Sequence, residues 1–252
     1  MYLSIDCGNT FNKLGVYEAN SALVLFKLVD KSVLLAVADE LLDGYAIEAA
    51  IVSNVGTDDQ AFLDNLKRRL GRVWEMKFPI PVPIKNHYST PQTLGQDRLA
   101  AACAVNFLYP DSTSLIVDIG TCIKYDIVHK GAFEGGSISP GLKMRYQALQ
   151  HFTAKLPLVE ANLEYNYQNT LPAQNTIQAI ESGVQQAIIF EIEGFISYYK
   201  TKYKDLNIIL TGGGAKWFAN SIKFPIFAHS DLVLLGLNRV LIHNLRIDNL
   251  NQ

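Results

Sequence analysis

The chain has 252 residues, of which 49 % are hydrophobic and 18 % charged, so its composition excludes extensive disorder and allows one large domain or two small ones. Its 22 basic and 24 acidic side chains give a net charge of −2, which argues against nucleic acid as the main partner. No apolar run approaches the roughly 18 residues of a membrane span, so we expect no membrane partner.

The first part of the chain alternates strand and helix patterns. Three short strands come first, and further strands and helices follow before a proline-rich loop. The predicted elements are strands at 2–6, 14–17 and 23–28, a helix at 33–42, a strand at 47–52, a helix at 59–70, a strand at 73–76, a loop at 79–91 and an alanine-rich helix at 94–109.

The same order of patterns restarts near the middle of the chain. The predicted elements are strands at 114–118, 125–128 and 135–138, helices at 142–152 and 176–203, a strand at 206–210, and helices at 215–222 and 232–245. The polar, asparagine-rich segment 160–174 is predicted to be a surface connection.

An aspartate followed by a glycine-containing turn ends the first strand of each half. Asp6 precedes Cys7-Gly8-Asn9-Thr10, and Asp118 precedes Ile119-Gly120-Thr121. The two aspartates lie about half the chain length apart, which indicates an internal duplication. We therefore predict an α/β fold with two similar halves, residues 1–112 and 113–252, facing a central cleft.

The repeated turn is chemically suited to holding a polyphosphate. Gly8 permits close backbone approach, Asn9 and Thr10 add hydrogen-bond donors, and Lys13 adds a positive charge. Asp6 supplies the oxygen ligand that a phosphate-bound Mg²⁺ prefers. A single such turn could be only a tight hairpin with a satisfied aspartate, whereas two of them favour a phosphate grip.

Two further motifs are each open to two interpretations. The run Gly212–Gly214 follows a strand and either faces a nucleotide or forms a tight turn. In Gly95-Gln96-Asp97-Arg98, the aspartate either stabilises the first turn of a helix or, with the arginine, holds a hydroxyl substrate and takes its proton.

The cysteines and the N-terminus predict the compartment. Cys7, Cys103 and Cys122 are odd in number and lack CxxC spacing, which is typical of reduced thiols and not of a disulfide framework or a zinc site. Asp6 interrupts the first apolar stretch, which argues against a signal peptide. We expect a cytoplasmic protein.

Together these motifs resemble those of type III pantothenate kinases, bacterial enzymes of coenzyme A synthesis in the acetate and sugar kinase, heat-shock-70 and actin superfamily. The resemblance implies two ribonuclease-H-like halves. The matching elements, in the family's order, are Asp6, Gly8, Asn9, Thr10 and Lys13; Tyr88, Gly95, Asp97 and Arg98; Asp118, Gly120 and Thr121; Gly135, Gly136, Ile138, Pro140 and Gly141; and Asn175 and Thr176.

The resemblance also implies a reaction and a role for each site residue. ATP with Mg²⁺ would phosphorylate the primary hydroxyl of pantothenate, giving 4′-phosphopantothenate, in a homodimer. Thr176, from the same chain or from the partner subunit, would contact pantothenate. The implied roles are Asp97 as general base; Asp6 for Mg–ATP; Gly8, Asn9, Thr10, Lys13 and Thr121 for the phosphates; Asp118 for a potassium or ammonium ion; and Tyr88, Gly95, Gln96, Asp97, Arg98 and Thr176 for pantothenate.

One departure from the family pattern and two rival functions stay open at this point. Cys122 and Lys124 stand where the family commonly has alanine and threonine, and Lys124 would either alter nucleotide contacts or point to solvent. The rival functions are a sugar or small-acid kinase of the same fold and a non-catalytic, nucleotide-dependent regulatory module. The presence of Asp97 favours a kinase, because a binding module needs no base.

Overall fold

The computed structural model describes residues 1–8, 11–54, 60–161 and 171–250, with only the backbone of residue 54. The strands are β1 (Tyr2–Cys7), β2 (Asn12–Tyr17), β3 (Leu23–Val29), β4 (Ala49–Asn54), β5 (Val73–Glu75), β6 (Lys85–Asn86), β7 (Thr113–Ile119), β8 (Cys122–His129), β9 (Ala132–Pro140), β10 (Leu206–Thr211) and β11 (Phe227–Ala228). The helices are α1 (Leu34–Gly44), α2 (Gln60–Leu70), α3 (Gln96–Leu108), α4 (Leu142–His151), α5 (Thr176–Lys202), α6 (Ala215–Phe218) and α7 (Leu232–Leu250).

The first of two compact units contains the described residues of 1–111, 128–135 and 231–250. Its sheet has the order β3-β2-β1-β4-β5, in which β1 is antiparallel to β2 and parallel to β4. Alternating side chains of these strands, such as Leu3, Ile5 and Leu14, are buried with apolar residues of α1 and α2. Hydrophobic burial of these faces therefore fixes the strand that carries Asp6.

Helix α7, the last element of the chain, packs against α3 in this first unit. The contact is close at Gly236, where an added Cβ would lie 1.8 Å from the backbone oxygen of Ala100. Only glycine permits this approach of the two helices. The helix that begins at the Asp97 motif is thus held by the far end of the chain.

The second unit contains the described residues of 112–127 and 136–230. Its strands follow the order β11-β10-β7-β8-β9, and the tip of the β8–β9 hairpin, which belongs to the first unit, pairs in parallel with β6. Its core packs isoleucines of α5, among them Ile188, Ile192 and Ile196, against apolar side chains of β7, β8 and β10.

The two sheets repeat one topology, which confirms the predicted α/β fold and its internal duplication. The order β3-β2-β1-β4-β5 corresponds to β9-β8-β7-β10-β11, with the last three strands of each series parallel. Asp6 stands opposite Ser53 of β4, and Asp118 stands opposite Thr211 of β10. Both aspartates therefore occupy the carboxyl end of the first strand of a repeat, beside a hydroxyl residue.

The predicted elements agree with the observed ones except at a few places. The predicted helix at 215–222 is a short α6 followed by a 3₁₀ turn, and the strands β6 and β11 have no counterpart in the prediction. The division at residue 112 differs from the compact units, since α7 and the tip 128–135 group with the first unit. Most of the predicted connection at 160–174 lies outside the described residues, as do Asn9 and Thr10.

No helix within the described ranges combines the length and the apolar content needed to cross a bilayer.

Candidate active site

The predicted base, Asp97, lies in the first turn of α3 in the first unit. Gly95 is the N-cap residue of this helix. The Asp97 carboxylate accepts a hydrogen bond of 3.0 Å from the backbone N–H of Arg98, in the same turn. A Cβ added to Gly95 would come within 2.7 Å of that carboxylate oxygen. The glycine therefore leaves room for the carboxylate at the first turn of the helix.

Arg98, the next residue, is buried and stacked against aromatic rings. It is only 5 % exposed, and its guanidinium carbon lies 5.5 Å from the ring centre of Tyr88 and 5.8 Å from that of Phe133. The two rings are themselves in contact, with centroids 6.1 Å apart. The structure thus brings Tyr88 and Arg98 of the Gly95–Arg98 motif together. Gln96 of this motif donates a side-chain hydrogen bond to the carbonyl of Leu94.

Phe133 is a member of this cluster that sequence reasoning missed. It lies in β9, at the tip of the hairpin, where it pairs with Asn86 of β6. The side chain of Asn86 in turn accepts a hydrogen bond of 3.0 Å from the backbone N–H of Tyr88. No sequence signal joins these segments, because their pairing depends on the two-residue strand β6 inside the proline-rich loop.

The first turn begins at Asp6, which is 7 % exposed at the end of β1. The backbone N–H of Gly8 donates to the carbonyl of Asp6, and a Cβ added to Gly8 would lie 2.6 Å from the carbonyl oxygen of Phe11. Any larger residue would have to displace this backbone. Lys13 of β2 stands opposite Asp6 in the strand register.

The donor set at this turn fits a magnesium ion that arrives with a nucleotide. The described residues contain no cluster of three or more His, Cys, Asp or Glu side chains able to hold a metal alone. Mg²⁺ is commonly bound by one or two carboxylates, with phosphate oxygens and water completing its octahedron. The single carboxylate of Asp6 beside a glycine turn matches that requirement.

The second turn, in the second unit, is enclosed by glycines on two sides. A Cβ added to Gly141 would lie 2.4 Å from the carbonyl oxygens of both Gly120 and Thr121, and one added to Gly214 would lie 2.6 Å from the Ile119 side chain. Gly120 and Thr121 themselves remain exposed at the tip. The Gly212–Gly214 run thus packs against the end of β7, where the backbone N–H of Gly214 donates to the carbonyl of Ile119. Thr121 is placed where it is accessible to a ligand.

Asp118 is paired with Lys124, the residue that departs from the family pattern. The Lys124 ammonium lies 2.9 Å from Oδ2 of Asp118, and the two side chains are 18 % and 16 % exposed. Lys124 therefore does not point to solvent. A carboxylate already neutralised by a fixed ammonium does not fit a separate potassium or ammonium ion, so we derive no step through such an ion.

Thr176 is the first residue of α5 and is exposed, while Asn175 caps the helix by accepting a 2.9 Å hydrogen bond from the backbone N–H of Gln178. Thr176 lies beside an apolar groove of about 740 Å³ between α4 and α5. This groove belongs to the second unit, which also contains Asp118 and Thr121, whereas Asp6, Lys13, Tyr88 and Asp97 belong to the first.

A polar network in the second unit was also missed by sequence reasoning. The Glu191 carboxylate of α5 accepts hydrogen bonds from Tyr125 of β8 at 2.7 Å, from Ser139 of β9 and from Arg145 of α4. Burial raises the pKa of Glu191, but these three donors outweigh it and hold the pKa below its usual range. The network ties α4 and α5 to the strands that lead from the second turn.

The fold and the two turns define a class of protein before any comparison of sequence. Among solved structures, the chain resembles the activator of the 2-hydroxyisocaproyl-CoA dehydratase from Clostridium difficile with bound ADPNP, with a TM-score of 0.59 at 14 % identity over 100 % of this chain and 97 % of the other. It also resembles the inorganic polyphosphate/ATP-glucomannokinase of Arthrobacter sp. strain KM, with a TM-score of 0.52 at 14 % identity over 96 % and 98 %. The fold is that of the actin-like ATPases and sugar kinases.

Sequence comparison then gives the family. The family model for type III pantothenate kinase matches residues 2–198. A type III pantothenate kinase of Phocaeicola vulgatus is 39 % identical, over 97 % of this chain and 99 % of its own length. The chain therefore belongs to the type III pantothenate kinase family, which confirms the resemblance found in the motifs.

Proposed function

We propose that this protein transfers the γ-phosphoryl group of ATP to the primary hydroxyl of pantothenate, giving 4′-phosphopantothenate in the first step of coenzyme A biosynthesis. Family membership supports the substrates, and one observation carries the chemistry. That observation is the carboxylate of Asp97 in the first turn of α3, next to an arginine buried against Tyr88. Such an arrangement suits a base beside a fixed acceptor pocket.

On the acceptor side, the Asp97 carboxylate takes the proton of the pantothenate primary hydroxyl as the hydroxyl oxygen attacks the γ-phosphorus atom of ATP. The Arg98 stack fixes the ring of Tyr88, so that the pocket wall is rigid before pantothenate binds. Gly95, Gln96 and Thr176 complete the proposed pantothenate contacts. Phosphoryl transfer requires mainly that the reactants are positioned and that charge is neutralised. The fixed Tyr88 ring and the Asp97 base supply the positioning of the acceptor.

On the nucleotide side, the two glycine turns hold the phosphates. The proposed ligands are Asp6, Gly8, Asn9, Thr10, Lys13 and Thr121. When bound at Asp6, Mg²⁺ supplies neutralisation of the charge on the phosphate oxygens. Lys13 adds a point charge for the same purpose, and the exposed Thr121 adds a hydroxyl donor.

We further propose that the protein is a homodimer in which the groove between α4 and α5 meets a second copy. The supporting observation is a set of exposed apolar side chains of this unit. Phe152, which lines the groove, is 81 % exposed, Ile177, next to Thr176 in the chain, is 44 % exposed, and Leu158 is 58 % exposed. Burial of such a patch is a common basis of association. Sedimentation of the wild type and of Phe152→Glu tests this, since the variant should shift towards monomer, and a monomeric wild type overturns the proposal.

A cytoplasmic location and a lack of nucleic-acid binding are also proposed. Cys7, Cys103 and Cys122 form no disulfide, as expected in a reducing compartment. The net charge of −2 gives no electrostatic basis for binding nucleic acid.

The test is an assay of the purified protein with ATP, Mg²⁺ and pantothenate, measuring ADP release and the mass of the product. We expect ADP release that depends on pantothenate, with a product heavier by one phosphoryl group. Glucose and acetate serve as alternative acceptors. Turnover of one of these in place of pantothenate would indicate the rival kinase, and ATP binding without turnover would indicate the regulatory module.

A further inference from the structure

The pair formed by Asp118 and Lys124 is held in place from several sides. Asp118 is the last but one residue of β7 and Lys124 lies in β8, the next strand of the sheet, so both ends of the pair are fixed by the backbone. Oδ2 of the carboxylate faces the Lys124 ammonium at 2.9 Å. Oδ1 lies against Gly212, where an added Cβ would come within 2.4 Å of it. Gly212 has φ +89°, a conformation that favours glycine, so the approach to this oxygen is built into the turn.

The surroundings make this more than a surface ion pair. Both side chains are less than one-fifth exposed, and the attraction between unit charges grows as water is excluded from around them. The pair also lies two residues from the exposed tip, Gly120 and Thr121, that we propose binds phosphate. A fixed positive charge therefore stands at the base of the second phosphate turn.

We propose that the Lys124 ammonium replaces the monovalent cation that the family resemblance implies at Asp118, so that this kinase turns over without potassium. This rests on the proposed function. The resemblance implies that either potassium or ammonium serves, and the end of a lysine side chain is an ammonium group. A tethered group also acts at a high effective concentration, so that a free ion of the same charge cannot compete at ordinary salt concentrations.

Lys124 could instead act directly on ATP, and the two roles differ in what they predict. A phosphate ligand lost by mutation raises the KM for ATP, and no salt restores it. A lost built-in cation leaves Asp118 without a partner, and an external cation of suitable size restores turnover. Lys124→Thr separates the roles, because it introduces the residue that the family commonly has at this position.

The experiment measures pantothenate kinase activity in 100 mM potassium, ammonium, sodium or choline chloride. The wild type and the control Lys204→Thr, an exposed lysine of the same unit, should vary less than about twofold among the salts. Lys124→Thr should lose roughly tenfold or more in sodium and choline, and recover in potassium and ammonium. A wild type that requires potassium, or a variant whose defect no salt corrects, would overturn the proposal.

A second measurement keeps the test independent of the reaction. The melting temperature of Lys124→Thr should rise by roughly 2–4 °C in potassium relative to sodium, because an ion that binds only the folded state stabilises it. The wild type should melt at the same temperature in both salts. If pantothenate is not turned over in any salt, the proposed function fails, but the melting comparison still decides the role of Lys124. A wild type that melts at a higher temperature in potassium than in sodium refutes that role.

Discussion

The guanidinium carbon of Arg98 lies 5.5 Å from the ring centre of Tyr88, within a cluster that Phe133 completes. Stacking of this kind needs the planar, weakly hydrated guanidinium and is lost with lysine at the same charge. Arg98→Lys should therefore raise the KM for pantothenate about three- to thirty-fold with a small change in kcat. Arg239, stacked on Phe107 at 4.0 Å, provides the control, since Arg239→Lys should leave the KM unchanged. Equal effects of both variants would contradict a specific role for the Arg98 stack.

Asp97→Asn tests the base directly. The amide keeps the size of the side chain but cannot accept the proton, so kcat should fall by roughly 10²–10⁴. The far-UV circular dichroism should be unchanged, because the helix retains its glycine cap. Asp64→Asn, on the exposed face of α2, is the matched control and should leave kcat as it is. An Asp97→Asn enzyme of normal rate would rule out general-base catalysis by this residue.

Gly8→Ala tests the first phosphate turn. The new Cβ would lie 2.6 Å from the carbonyl oxygen of Phe11, so the turn must open. We expect the KM for ATP to rise about tenfold or more, because a shifted backbone displaces the residues proposed to bind the phosphates. Gly44→Ala is the control, because a Cβ there meets nothing within 4 Å. An unchanged KM for ATP in Gly8→Ala would place the phosphates elsewhere.

Gly236→Ala tests the packing of α7 on α3. A Cβ 1.8 Å from the Ala100 oxygen forces the helices apart, which costs about 3 kcal/mol or more and lowers the melting temperature by roughly 5–10 °C. Gly194, in α5, has nothing within 4 Å of its added Cβ, so Gly194→Ala should instead stabilise by up to about 1 kcal/mol. Thermal unfolding of the two variants tests this. Equal changes in melting temperature would show that the close approach of the helices does not contribute to stability.

Glu191 predicts a pH dependence of stability. Burial opposes ionisation of Glu191, but its hydrogen bonds to Ser139, Arg145 and Tyr125 lower the pKa in the folded state below the unfolded value. The contribution is therefore complete above the unfolded pKa, near 4.3, and is lost as the pH falls through the folded pKa. Urea unfolding of the wild type and of Glu191→Gln should differ more at pH 7 than at pH 3. A difference independent of pH would contradict the lowered pKa.

Local pattern predicted much of the fold, because the strands and helices carry their own burial periodicity. The repeated aspartate turns at Asp6 and Asp118 were enough to predict two similar halves, and the structure shows that their sheets share one topology. Contacts between distant segments could not be predicted from local sequence pattern. Nothing in the apolar run of α7 indicates that Gly236 contacts Ala100. Likewise, the sequence marked Lys124 as unusual, but its partner depends on how two neighbouring strands align, and the Glu191 network depends on four separate elements.

Two of the three cysteines, Cys7 and Cys122, are natural positions for a spectroscopic label. Cys103 is 1 % exposed, and burial raises the pKa of its thiol. Reagents that need a thiolate should therefore not react with it. Cys7 and Cys122 are partly exposed and lie beside the first and second turns, one in each compact unit. A thiol-reactive fluorophore would thus label a position beside each of the two turns without any engineered cysteine.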